Sequence, residues 1–301
     1  MFHGSFTALI TPFENGKVAD RTYQEFVNWQ IEQGSHGLVP CGTTGESPTL
    51  SHTEHRHVTE LCIEAVGGRV PVIAGAGSNS TEEAVDLTKH AHQAGADAVL
   101  MVTPYYNKPT QDGLYAHFEA VAAAADIPVI IYNIPGRSVV NMSVATMARL
   151  ARLANIVGVK DATADLTRPL DERAAIDGDF CLLSGEDGTA LAYLSNGGHG
   201  CISVTANIAP ALCAEMQNAW RDGDAARALA VQDSLMPLHS NLFVETSPGP
   251  VKYAASLLGL CSGELRLPMV EVTEATKNVV RAALEATGLL NEGVEQWRAA
   301  N

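Results

Sequence analysis

The chain has 301 residues, of which 46% are hydrophobic and 18% charged, a composition that excludes a disordered polymer and suits a large packed core. Its 19 Lys and Arg against 34 Asp and Glu give a formal charge of −15, which disfavours nucleic acid and anionic membranes as partners. No stretch reaches about 18 uninterrupted apolar residues, and the start MFHGSFTALITPF has no basic segment leading into an apolar run, so neither a membrane span nor an export signal is read and a cytoplasmic location is expected.

Short apolar runs rich in valine and isoleucine recur along the chain, each closed by Gly, Pro, Asn or Thr and followed by a helical pattern. In order they are Ser5 to Ile10, Gly37 to Pro40, Val70 to Ala74, Asp97 to Val102, Pro128 to Tyr132, Ile156 to Lys160, Phe180 to Ser184 and Cys201 to Val204. Between them, Arg21 to Gln33, Thr53 to Val66, Thr81 to Ala94 and Leu114 to Ala125 read as helices. Continuous apolar strands alternating with helices imply a parallel sheet covered on its outer face. Repeated through eight runs, the pattern predicts a closed (β/α)8 barrel. An open Rossmann-type sheet would prefer a GxGxxG turn after its first strand, and none follows Ile10. After Thr205 only helices are predicted: Pro210 to Gly223, Ala225 to Asn241, Pro250 to Leu258 and Thr273 to Ala286. The expected organisation is a catalytic barrel over 1–224 with a helical C-terminal region over 225–301 packed on it.

In such a barrel the chemistry sits at the carboxyl ends of the strands. The polar residues there are Thr43 and Thr44 after the second strand, Tyr105 and Tyr106 after the fourth, Tyr132 and Arg137 after the fifth, Lys160 ending the sixth and Gly185 after the seventh. Lys160 closes the run IVGVK, so an amine would point into an apolar interior. A lysine in water holds its proton at neutral pH; an apolar pocket weakens that hold and frees the amine to attack a keto group. The resulting iminium withdraws electrons from the adjacent carbon and lets it form an enamine. The alternative is a structural ion pair between Lys160 and Asp161 or another carboxylate. Tyr132 is either a proton carrier or an ordinary core residue at a strand end, and Arg137 in IPGRS either grips a carboxylate or is a solvated loop residue. GTTGE, Gly42 to Glu46, offers N–H groups and hydroxyls to an anion but lacks the spacing of a phosphate-binding P-loop. His52, His55 and His57 crowd one helix start without HExxH or acidic ligand spacing, which favours a surface or effector role over a zinc site. The six cysteines contain no CxxC pair and are expected to be reduced.

Taken together, GTTGE from Gly42, YNIPGR from Tyr132 and VGVKDAT around Lys160 resemble the class I pyruvate aldolases, the superfamily of dihydrodipicolinate synthase and N-acetylneuraminate lyase. VTPYYNKP, LLSGEDG, GGHGCISVTAN, MPLH and LFVETSPGPVK resemble the dihydrodipicolinate synthase branch, and the likeness extends over most of the chain. The resemblance implies condensation of pyruvate with L-aspartate 4-semialdehyde through a Schiff base on Lys160, without a metal or any other cofactor. It further implies a proton relay of Thr43, Tyr132 and Tyr106, with Tyr106 reaching a neighbouring subunit's site in a homotetramer built as a dimer of dimers. Arg137 would hold the aldehyde's carboxylate, Thr44 and the Thr43 backbone that of pyruvate, and Gly185 and Ile202 would offer backbone contacts. Ser47, His52, His55, Asn79, Glu83 and Tyr105 match the family's site for an L-lysine effector. Pro48, Ala164 in place of a common glycine, and VKD where IKE is frequent depart from the pattern, at positions outside the expected catalytic set. The rival within the superfamily is a lyase of N-acetylneuraminate or 2-keto-3-deoxygluconate, against the first of which Arg137 argues.

Overall fold

In a computed structural model that describes residues 2–290, eight parallel strands form one barrel wall. They are β1 (Gly4–Ala8), β4 (Gly37–Val39), β5 (Ile73–Gly75), β6 (Ala98–Val102), β7 (Val129–Asn133), β8 (Ile156–Asp161), β9 (Cys181–Ser184) and β10 (Gly200–Ser203). Two short strands, β2 (Phe13–Glu14) and β3 (Lys17–Val18), make a separate antiparallel hairpin. The wall runs β4-β1-β10-β9-β8-β7-β6-β5, and a parallel bridge between Leu38 and Val72 closes it. Each of the eight predicted runs overlaps one of these strands, least at Val70 to Ala74, where β5 begins only at Ile73.

The outer ring begins with α1 (Asp20–Glu32), α2 (His52–Val66), α3 (Thr81–Ala94) and α4 (Gln111–Ala122). It continues with α5 (Pro135–Ser138), α6 (Val144–Leu150), α7 (Arg168–Ala175), α8 (Ala190–Ser195) and α9 (Pro210–Arg221). Local chemistry sets the ends: Ser51 and Glu54 form a reciprocal capping box on α2, and Gly67 closes it in the left-handed region at φ 54°. The β2–β3 hairpin, which the sequence reading passed over, turns on Asn15 and Gly16 at φ 52° and 78°, where positive φ suits an Asn-Gly pair.

Strand alternation divides the core. Phe6, Val39, Ile73, Leu100, Ile130, Tyr132, Leu183 and Ile202 pack in one cluster, as inward side chains of a small barrel do. Their strand neighbours Val99, Met101, Ile131, Val159 and Leu182 pack instead with residues of α3, α4 and α6. Gly158 is required on β8, because a Cβ there would stand 2.4 Å from the carbonyl oxygen of Cys181.

Beyond the barrel lie α10 (Ala225–Asn241), α11 (Gly249–Leu257) and α12 (Glu274–Ala286). They are tied to the strand-end loops: Thr205 bonds His239 Nδ1 at 2.8 Å, Gln232 donates to the Asp187 carbonyl at 3.1 Å, and Lys252 bonds Glu46 at 2.6 Å. Residues 291–301 of the expected C-terminal region lie outside the described residues.

Candidate active site

Because Val159 faces the helices, the alternation of β8 turns Lys160 inward. Its side chain is buried, the residue being 5% exposed, and the amine lies 4.2 Å from the centroid of the Tyr132 ring. The two residues are register partners on β8 and β7, and Tyr132 in turn pairs with Val102 on β6. The alternative, a structural ion pair between Lys160 and Asp161, does not form. Asp161 points the other way and takes Arg168 of α7 at 2.9 Å, while Arg168 also binds Glu172 at 2.8 Å. Among the described residues Lys160 has no ion-pair partner within 4.0 Å. A buried amine against an aromatic face, with no carboxylate among the described residues fixed on it, does not tie two elements together as a structural ion pair would.

The environment of the amine is tight. A Cβ at Gly185 would stand 3.1 Å from Lys160 Cε and 2.8 Å from Ala162 Cβ, so the backbone after β9 can approach only without a side chain. Glu186 follows; burial raises its carboxyl above the ordinary range, Asp187 adds to that, and Lys160 opposes it. Ile202 is fully buried in the inward cluster with Tyr132.

A cavity of about 360 Å³ opens at the carboxyl ends of β4 to β7, and neither Lys160 nor Tyr132 is on its wall. Its wall brings together Thr43, Arg137, Val102 and Ile134 with Ser47, His52, His55, Glu83 and Tyr105. Thus two of the substrate-side residues and five of the six expected effector residues border one space. Thr44 is buried next to Thr43 in the same loop. Arg137 is exposed and bonds the Ser247 carbonyl at 3.5 Å, which leaves most of its guanidinium donors open. Asn79 is not on the wall; its carbonyl accepts from Asn107 at 2.8 Å. Tyr106 stands apart, 89% exposed and at φ 70°, so within a single chain it does not join Lys160 and Tyr132.

The three helix-start histidines part company. His52 pairs with Glu83 at 2.6 Å, His57 with Asp20 at 2.7 Å, and the His55 ring meets the Gly75 carbonyl at 2.7 Å. Burial lowers the His55 pKa, with the carbonyl opposing. Sequence reasoning missed Ser138, which borders the cavity and receives a bond from Thr103 at 3.1 Å, and the Asp161–Arg168–Glu172 cluster behind β8. The i,i+4 spacing of Arg168 and Glu172 was a readable signal for part of that cluster.

Known proteins share this fold. The profile of the dihydrodipicolinate synthetase family matches residues 1–287. The 4-hydroxy-tetrahydrodipicolinate synthase of Rhodospirillum centenum is 69% identical over 290 residues, 96% of this chain and 100% of that one. The crystal structure of the chloride-inhibited dihydrodipicolinate synthase of Acinetobacter baumannii complexed with pyruvate matches with a TM-score of 0.94 at 44% identity, over 96% of this chain and 100% of that one. The enzyme of Cyanidioschyzon merolae with lysine bound matches with a TM-score of 0.93 at 41% identity, over 96% and 99%. On the fold, the buried amine and these likenesses, the chain belongs to the dihydrodipicolinate synthetase family and is an enzyme of the lyase type.

Proposed function

We propose that this enzyme condenses pyruvate with L-aspartate 4-semialdehyde to 4-hydroxy-tetrahydrodipicolinate, the committing step of lysine and diaminopimelate synthesis, in the cytoplasm. The observation that carries the reading is the Lys160 amine, buried on the Tyr132 ring without a carboxylate partner among the described residues. The neutral amine adds to the keto carbon of pyruvate and water leaves, giving an iminium. Loss of a methyl proton then gives an enamine, which attacks the aldehyde carbon. The amino group of the second substrate displaces Lys160 as the ring closes, so the lysine is regenerated and one water is released overall. No other cofactor takes part in the scheme.

In this scheme Tyr132 and Thr43 carry protons and Tyr106 enters from a neighbouring subunit of a homotetramer, an arrangement supported by its exposure. Thr44 and the Thr43 backbone hold the pyruvate carboxylate, Arg137 holds that of the aldehyde, and Gly185 and Ile202 supply backbone contacts. The cavity wall of Ser47, His52, His55, Glu83 and Tyr105, with Asn79 nearby in sequence, supports L-lysine as an effector, as does the lysine bound in the Cyanidioschyzon merolae enzyme. We further divide the chain into a catalytic barrel, 1–224, and a helical region, 225–301.

The test is borohydride reduction in the presence of pyruvate, read by mass spectrometry, with a coupled assay on aspartate semialdehyde. The expected result is a pyruvate-derived adduct on Lys160, absent in Lys160→Ala together with at least about a thousandfold of the turnover. An adduct on another residue, or full activity in Lys160→Ala, sinks the reading.

A further inference from the structure

Lys252 on α11 is 0% exposed, an unusual setting for an ammonium group. Its Nζ donates to Glu46 Oε1 at 2.6 Å and to the Glu264 carbonyl at 2.7 Å, and lies 4.1 Å from the centroid of the Phe13 ring. The other Glu46 oxygen accepts the Arg266 backbone N–H at 3.1 Å. The Arg266 guanidinium also stacks on Phe13 at 4.3 Å and reaches the Thr49 carbonyl at 3.0 Å. Two cationic residues of the C-terminal region therefore grip the carboxylate and the chain just after it. Burial lowers the Lys252 pKa, and Glu46 works against that.

Glu46 is the last residue of GTTGE and sits at φ 55°, a left-handed conformation that costs free energy in a residue with a side chain. Its N–H donates to the Thr43 carbonyl at 3.1 Å, and the Thr11 hydroxyl binds the Gly45 carbonyl at 2.7 Å. The turn that presents Thr43 and Thr44 thus ends on a strained residue whose side chain is held from the far end of the chain. A buried ion pair adds little net stability compared with a well-packed apolar pair, and its better-attested use is to select one geometry.

We propose that Lys252 is a positioning residue for substrate binding: acting through Glu46, it holds the Thr43–Thr44 backbone in the shape that receives the carboxylate of the 2-oxo acid. This rests on the assignment of Thr43 and Thr44 to that carboxylate. The prediction is a selective loss. Lys252→Met raises the KM for pyruvate about tenfold or more, because a small displacement of a binding loop is costly. The KM for aspartate semialdehyde moves by less than about twofold, since its carboxylate is assigned to Arg137.

The experiment measures both KM values, kcat, and the pyruvate dependence of the borohydride-trapped adduct in the unaltered enzyme, in Lys252→Met, in Lys252→Arg and in the double variant Glu46→Gln, Lys252→Met. Thermal unfolding is recorded alongside. The double variant leaves no unpaired buried charge and is expected to fold with the same pyruvate defect, keeping the test sound if the single variant does not fold. Lys252→Arg, which keeps the charge, is expected to recover part of the pyruvate affinity. A folded variant with unaltered pyruvate dependence, or one in which both KM values rise equally, overturns the proposal alone. An unaltered enzyme that traps no pyruvate on Lys160 overturns the functional reading as well.

Discussion

Gly185 is the residue on which the approach to the amine depends, since a single added methyl group would press on Lys160 Cε and Ala162 Cβ. Its φ does not lie in the left-handed region, so alanine is permitted by the backbone and excluded only by the neighbours. Gly185→Ala is expected to fold, to lose about 1–3 kcal/mol of stability and to turn over on the order of a hundredfold more slowly as the amine is displaced. Steady-state kinetics with urea unfolding checks it; a fast, stable variant would show that the space is softer than it looks. At this scale the sequence was partly legible. An apolar run ending in lysine announced an inward amine, because strand alternation is a rule of covalent geometry. What held Asp161 was not, since its partner Arg168 belongs to the next helix and the distance between them is a property of packing. Ala164 takes φ 61°, a left-handed conformation for which glycine would be better suited.

Among the elements, α3 and α4 meet at a group that contributes to acid sensitivity. His117 of α4 bonds the Thr81 hydroxyl at 2.9 Å, its Nε2 is buried without a partner, and burial lowers its pKa to about 4 from an ordinary 6.5. The ring stays neutral in the folded chain but takes up a proton in the unfolded one once the pH drops below about 6.5. Its contribution is therefore fully present above that value and is lost between it and about 4, costing on the order of 2–3 kcal/mol. Urea unfolding at pH 7 and pH 4.5 should show His117→Gln losing less stability on acidification than the parent; equal losses would mean that other groups govern the sensitivity. Most helix limits expected from the sequence fall within a residue or two, as at α2, where Ser51 and Glu54 spell a capping box, but the expected Leu114 to Ala125 runs three residues late at both ends against α4. The β2–β3 hairpin was also readable from its Asn-Gly pair, but two residues on each side are too few to register as a strand pattern.

For the whole molecule, the exposed Tyr106 makes the single chain look incomplete. If a neighbouring subunit supplies that phenol, Tyr106→Phe and Lys160→Ala should each be nearly inactive alone. Mixing the two under conditions that exchange subunits should then restore activity, because some mixed sites contain both intact residues. Activity measured before and after exchange decides it, and no recovery between subunits shown to have mixed would place the phenol and amine of one site in the same chain. The eight-strand rhythm made the architecture legible, whereas the expectation of an assembly rests only on resemblance, since surface residues such as Tyr106 carry no periodic signal.

The wall order has a last consequence. β1 stands between β4 and β10, and its outer register partner, Gly200 to Ser203, is almost two hundred positions downstream. A ribosome delivers the chain from the amino end, so during synthesis β1 keeps one flank unbonded until most of the polypeptide has emerged. Nascent chains of this enzyme keep that edge open until about two thirds of the sequence has been translated, and they are exposed to pairing with one another until then.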